Sequence, residues 1–541
     1  MSNHASCSLA PARYGGALRA LPESTAPVTP GVMTTKYVAL AVFVILLISG
    51  RVALADEGLA TFGHIAEPAA PVKAEADTWG PVPTEKPSIA NLAPGLLPYF
   101  NNAPVFGLPG TVTGDFWNRT QLTGDWGGAR TDLARRGYFF DLYSTSTYQD
   151  VTSGGLKTGS AFVQNTQLSI NLDTERAGFW PGGLFHFTVQ SRYGSLPDKT
   201  FTVGSYVPQY TGLVEPGPLF ANNTYPSEYY LAQAFSKTFS AVIGKISDVF
   251  IPDQTLFGNS YKYYFANFNL NKNPMTTNFY NPTAWAVLGV WTPSESLAIG
   301  GGVLDPNSKS DNFAANAFNK VNLYLTAIAS YKVNGLPGQF SPAFNWSNKP
   351  KIDLGSPFGP LAPAQVPQAV GAIFGLAPTE GLQINYKQNS EFLIANVSQY
   401  LYVKEDPAEI AEKLKSGQPL RGIGVFGRFG FAPENANPVT RDASVALFAH
   451  GVFDSRPYDS FGVAYYYNKI SSALKNSIGQ LTAGSADVGN ERGMEVFYDF
   501  AITPAVRLIA SYQRVWDPLI AQVVTKQNAA EVFLTRLNVA F

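Results

Sequence analysis

Two carboxylates, Glu495 and Asp499, stand four positions apart in ERGMEVFYDFAI, and Arg507 follows in AVRLIASYQ. A pair of acids can hydrolyse a glycosidic bond, but only when the two are close. Along an extended strand four positions cover roughly 13 Å at about 3.3 Å per residue. That exceeds the roughly 9.5 Å limit for an inverting pair. No GxSxG, HExxH or GxxxxGK[ST] motif accompanies them. With four histidines, two of them at His4 and His64, and one cysteine, neither a metal centre nor a cofactor is expected. The chemistry left is non-covalent: amides, carboxylates and guanidinium groups pair with hydroxyls, and aromatic faces cover apolar ones. Such groups recur here at alternate positions, and eight are candidate contacts for a polar solute. They are Asn165, Gln167, His186, Gln190, Arg428, Glu495, Asp499 and Arg507. Arg428 shares its face with Phe426, so a structural ion pair in the wall is an equal alternative for it. His186 reads as a simple hydrogen-bonding group rather than a switch.

The elements that must carry these residues are strands. After Gly137 the apolar period changes from 3.6 to 2 and keeps that value to the end of the sequence. In FVQNTQLSINLD, Asn165, Gln167, Ser169 and Asn171 oppose Phe162, Leu168, Ile170 and Leu172. In LFHFTVQSR, His186, Thr188, Gln190 and Arg192 oppose Phe185, Phe187 and Val189. In the terminal AEVFLTRLNVAF, Phe533, Leu537 and Phe541 oppose Leu534, Arg536 and Asn538. The runs have the length a tilted strand needs to cross hydrocarbon, about 9 to 11 residues. Charged residues make up 14% of the chain, against about 25% in soluble domains. A soluble sandwich would crowd its polar face with charge; here amides, hydroxyls and aromatics dominate it. A sheet in lipid has no water for its edges, so it must close. The expected fold is therefore all-β, a transmembrane antiparallel barrel over 138–541. We count 16 or 17 strands, because GLQINYKQ and SEFLIANVSQYLYV can be read as one or two; an even number, 16, is expected.

KYVALAVFVILLISGRVALADE has the cationic start, short apolar run and Ala53-Leu54-Ala55 ending of a secretory signal. Residues 1–55 are read as that signal, with Met33 an alternative start. Cleavage would remove Cys7 and leave a cysteine-free chain. Residues 56–113, rich in Pro and Ala, read as a largely disordered extension. Residues 114–137 lead in, with a short helix from Ala129 to Arg136 stopped by Gly137. Net charge is −1, which excludes a bulk nucleic-acid binder. KEDPAEIAEKLKSGQPL, 404–420, reads as a short amphipathic helix behind an acidic cap, without an assigned role.

Three blocks carry a family likeness: LTGDWGGARTDLARRGYFFDLYSTSTYQDVTSGG, GIGVFGRFGFAPENAN and ALFAHGVFDSRPYDSFGVAYYYNKIS. From about Leu122 to Phe541 the chain resembles the carbohydrate-selective porins, the OprB-like family. The resemblance implies a 16-stranded barrel in the outer membrane of a Gram-negative bacterium, passing monosaccharides and similar small solutes. It implies small sugars, outer-membrane lipid and the barrel-assembly machinery as partners, the last through the strand ending in Phe541. Asp125, Trp126, Arg130, Arg456 and Asp459 carry the family blocks; we expect them to fix the helix and a turn rather than touch sugar. Arg428 and Arg507 are offset by Glu495 and Asp499, which favours neutral solutes over anions. The alternatives are a general or anion-preferring porin and a secreted β-rich carbohydrate-binding protein. Loops 194–224, 250–282 and 347–379 would set specificity, and alternation does not say how they fold.

Overall fold

The computed structural model describes residues 111–195, 203–210, 222–247, 262–278, 283–308, 317–374, 377–415 and 420–541. The signal segment and nearly all of the 56–113 extension lie outside the described residues. The strands are β1 (Tyr138–Gly154), β2 (Gly159–Asp173), β3 (Gly183–Gly194), β4 (Asn223–Ala234), β5 (Phe239–Ser247) and β6 (Thr283–Ser294). They continue with β7 (Leu297–Leu304), β8 (Asn322–Val333), β9 (Leu336–Ser347), β10 (Lys351–Ile352), β11 (Tyr386–Lys387) and β12 (Ser390–Val403). The last are β13 (Gly422–Phe431), β14 (Val439–His450), β15 (Ser460–Ile470), β16 (Glu491–Thr503), β17 (Val506–Trp516) and β18 (Ala529–Ala540).

All but β10 and β11 form one closed barrel of antiparallel neighbours in chain order. This settles the strand count at sixteen: GLQINYKQ supplies β11, which pairs only with β10, and SEFLIANVSQYLYV is the barrel strand β12. The seam joins β1 to β18, from Tyr143 opposite Ala540 to Gly154 opposite Ala530. Closure satisfies every edge, which lipid requires.

One face of each strand is apolar and exposed. On β16, Val496 and Tyr498 are 42% and 40% exposed, while Glu495 and Asp499 are fully buried. Exposed aromatics occur toward both ends as well as at mid-strand, as at Tyr465. Phe185, Phe239, Trp291 and Phe500 lie toward the end where β1 starts; Tyr193, Phe429 and Phe431 lie toward the other. Rings toward the ends match the membrane–water boundary. Connections at the first end are often very short, 295–296, 334–335 and 504–505, whereas 348–389 and 471–490 sit at the opposite end. Short turns face the periplasm and long loops the exterior in barrels of this kind.

Six α-helices occur among the described residues: α1 (Ala129–Arg135), α2 (Phe268–Asn271), α3 (Val366–Ile373), α4 (Pro407–Lys415), α5 (Ser472–Leu481) and α6 (Leu519–Val524). α1 stops where expected. Gly137 has φ +91°, and a Cβ there would stand 2.7 Å from the Asp173 carbonyl oxygen, a position closed to any other residue. At the end where β9 and β15 finish, Leu354, Ile373 and Phe374 join Leu474, Ile478, Leu519 and Ile520 in an apolar core continuous with wall and inward-segment residues such as Phe392, Ile394 and Phe268. The described part of 347–379 thus packs onto that core, with Ser477 Oγ donating to the Leu354 carbonyl at 2.6 Å.

Candidate solute path and its constriction

The inner wall begins as a polar ladder. Ser169 and Thr188 hydroxyls meet at 2.8 Å. His186 contacts Asn171 Oδ1 and Thr188 Oγ1, each at 2.7 Å, and stacks on Tyr230 with centroids 4.5 Å apart. Arg192 Nε donates to Asn165 Oδ1 at 2.9 Å, and Tyr225 donates to Gln190 Oε1 at 3.2 Å. Apart from His186 and Thr188, which are two positions apart on β3, these partners are cross-strand neighbours in register, which is how alternation turns into a hydrogen-bonded surface.

Two segments then fold into the barrel, 203–210 and 262–278. The second leaves β5 on one wall and docks on β13 to β18, which lie across the ring from it. Glu495 accepts the backbone N–H groups of Ala266 and Asn267 at 2.9 and 2.8 Å. Arg428 donates to the Leu270 carbonyl at 2.6 Å, and Arg536 to the Tyr264 carbonyl at 2.7 Å. Asn273 reaches Asp442 at 3.0 Å and Asn468 reaches Asn269 at 2.8 Å. Asn267 caps α2 by accepting from Asn269 N. Phe265 meets Phe497 edge-on at 4.8 Å. The first segment is tied in the same manner: Tyr206 N donates to Glu491 at 2.8 Å, and Gln513 donates to the Gln209 carbonyl at 3.0 Å. Thr277 Oγ1 bonds Tyr206 OH at 2.8 Å and Phe268 N bonds the Pro208 carbonyl, so the two segments form one body. A lumen crossed in this way is narrowed over its middle.

The eight candidate contacts all sit on inward-facing positions, and the structure divides them. Glu495 and Arg428 are wholly enclosed under the 262–278 segment, Arg428 lying over the Phe426 ring at 4.7 Å. Arg507 and Asp499 form an enclosed ion pair of 2.7 Å, and Arg507 also donates to the Tyr458 carbonyl at 2.6 Å. Asn165, His186 and Gln190 are buried in the ladder. Gln167 alone of the eight retains partial exposure; it accepts from Lys262 Nζ at 2.9 Å, and that ammonium stands 4.2 Å over the Tyr143 ring. Lys262, Arg536, Glu491 and Gln513 were not singled out from the sequence. Alternation does place Arg536 inside. The inward segment leaves a compositional mark, YKYYFANFNLNKNPMTTN, too aromatic and amide-rich for an ordinary exterior loop.

The periplasmic rim uses the other five residues. Asp125 accepts the Thr131 N–H and hydroxyl, both at 2.8 Å, at the start of α1. Arg130 lies 5.2 Å from the Trp126 ring and donates to the Phe541 backbone oxygen at 3.0 Å and the Phe140 carbonyl at 2.6 Å. It thereby spans the seam between β1 and β18. The GDWGG spelling follows from the backbone: Gly124, Trp126, Gly127 and Gly128 all have positive φ, affordable mainly for glycine. Arg456 holds Asp459 through two bonds of 2.9 and 2.8 Å, donates to the Ala501 carbonyl and covers Phe500 at 4.0 Å. Asp459 also accepts from Tyr498 OH and Ala501 N.

A sixteen-stranded antiparallel barrel with an apolar exterior and a polar interior narrowed from within has the architecture of an outer-membrane channel of the porin class. Residues 157–541 match the family described as "Carbohydrate-selective porin, OprB family", and the chain belongs to that family. It is 24% identical over 463 residues to the "Putative porin QuiX" of Acinetobacter baylyi, covering 77% of this chain and 93% of the relative. A shorter match, 35% over 80 residues, is to "Porin B" of Pseudomonas aeruginosa, 14% of this chain and 17% of that one. The high-pH structure of Pseudomonas putida OprB superposes with a TM-score of 0.63 at 18% identity, covering 79% of this chain and all of the other, a likeness of fold. The protein is thus an outer-membrane porin, a channel rather than an enzyme.

Proposed function

We propose that the solutes are monosaccharides and similarly small, neutral polar molecules, moving down their gradient past the 262–278 constriction. The observation that carries this reading is the crossing of the lumen by 262–278: its own rings and amides are buried against the wall, and Lys262 at its start, beside Gln167, is left as a partly exposed polar contact for a hydroxyl. Interior charge is mixed: the Arg507–Asp499 pair is internally neutralised, which supports neutral solutes over anions. Of the candidate residues, Gln167, with Lys262 and Tyr143 beside it, is offered as the direct contact. Asn165, His186 and Gln190 shape the wall, and Arg428, Glu495, Asp499 and Arg507 hold the constriction and rim. The test is liposome swelling with sugars of increasing size, paired with single-channel recording. Monosaccharides should enter far faster than trisaccharides, and glucose should reduce ion current. Anion-dominated conductance unmoved by glucose would refute the proposal.

A further inference from the structure

The β12–β13 connection, 404–421, is anomalous for its end of the barrel, where 295–296, 334–335 and 504–505 suffice for other turns. It is also a built element. Asp406 accepts the N–H groups of Ala408 and Glu409, each at 2.9 Å, while the Glu409 carboxylate accepts from Asp406 N at 3.2 Å. This reciprocal cap fixes the start of α4. Lys404 N bonds the Arg421 carbonyl at 2.8 Å, closing the base of the loop. Lys404 and Arg421 both hold Asp454 of the next turn, at 2.5 and 3.0 Å, and Arg421 Nε donates to the Gly451 carbonyl at 3.0 Å.

One face of α4 looks away from solvent. Ile410 and Leu414 are four positions apart, hence on one side of the helix, while Glu409 and Glu412 are exposed on the other. Ile410 and Leu420 are buried in the same apolar cluster as Tyr263, Tyr264, Phe265 and Leu270, and Leu414 packs against it. Those four belong to the constriction segment. We infer that α4 is a strut that positions the constriction from the periplasmic side, so that pore width is set by Ile410, Leu414 and Leu420 as well as by Glu495, Arg428 and Arg536.

This rests on the channel reading above, and the experiment separates the two. In one variant, residues 406–419 are excised and Glu405 is joined to Leu420 through two glycines. A second carries Ile410→Ser with Leu414→Ser, and a control carries Ala408→Ser on the exposed face. Each is checked for heat-modifiable gel migration, which reports the closed barrel, and then recorded in planar bilayers. The excised protein should show conductance raised by about twofold or more, and faster entry of larger sugars, because the narrowest section is released. The double-serine protein should shift in the same direction, and it decides the matter if the excised protein does not fold. The control should match the native protein. Native or lowered conductance in a folded double-serine protein overturns the inference. Failure of the native protein to conduct would instead overturn the channel reading.

Discussion

Single side chains here act mainly as fasteners for backbone. Glu495 is the clearest case, an acceptor for two adjacent N–H groups across the lumen. Glu495→Gln keeps the size but replaces one acceptor by a donor facing an N–H. The expected loss is about 1–3 kcal/mol of local anchoring, read as noisier single-channel current with the barrel itself intact. Arg456→Ala removes the guanidinium from a nearly buried Asp459 carboxylate. It should lower the temperature at which the folded gel band converts to the unfolded one, at a cost of about 1–3 kcal/mol. Asp454 gives a pH dependence. The bond from Lys404, then that from Arg421, holds its carboxyl below the usual range. A depressed folded value means the tie is fully present above the ordinary aspartate range and is lost as pH falls through the folded value. Cleavage of the 404–421 loop by a protease active in acid should therefore speed up on acidification, and Asp454→Asn should be cleaved quickly at every pH.

Elements were legible in the sequence wherever lipid or water enforced a period. The alternation in β2, β3 and β18 located both faces, and α1 was marked by the glycine after it. Gly137→Ala would force a side chain into φ +91° against the Asp173 carbonyl. The backbone term alone is about 1–2 kcal/mol, measurable as a lowered urea midpoint in lipid vesicles. The split between β11 and β12 was ambiguous, since both runs alternate and only pairing partners tell barrel from hairpin. The inward segments were illegible as structure for a different reason. Residues 262–278 owe their shape to Glu495, Arg428 and Arg536, over 150 positions away, and no local pattern encodes partners so distant. Hence the candidate residues could be placed on the inner face without revealing which were covered by a returning loop.

At the scale of the molecule, the exterior is apolar and the interior polar, the reverse of a soluble protein. Val496, outward and near the middle of β16, tests this. Val496→Arg should destabilise the barrel by about 2–4 kcal/mol in vesicles, whereas a soluble sandwich would accept arginine at an exposed site with little change. The same geometry carries a consequence for biogenesis. The lumen is narrowed by a stretch lying between β5 and β6, yet its fastenings reside on β13 to β18. Whatever order the wall is laid down in, the filter is unfinished until the last third of the polypeptide is seated. Stalled intermediates should accordingly be leaky, and their permeability to bulky dyes would time the moment at which the sieve forms.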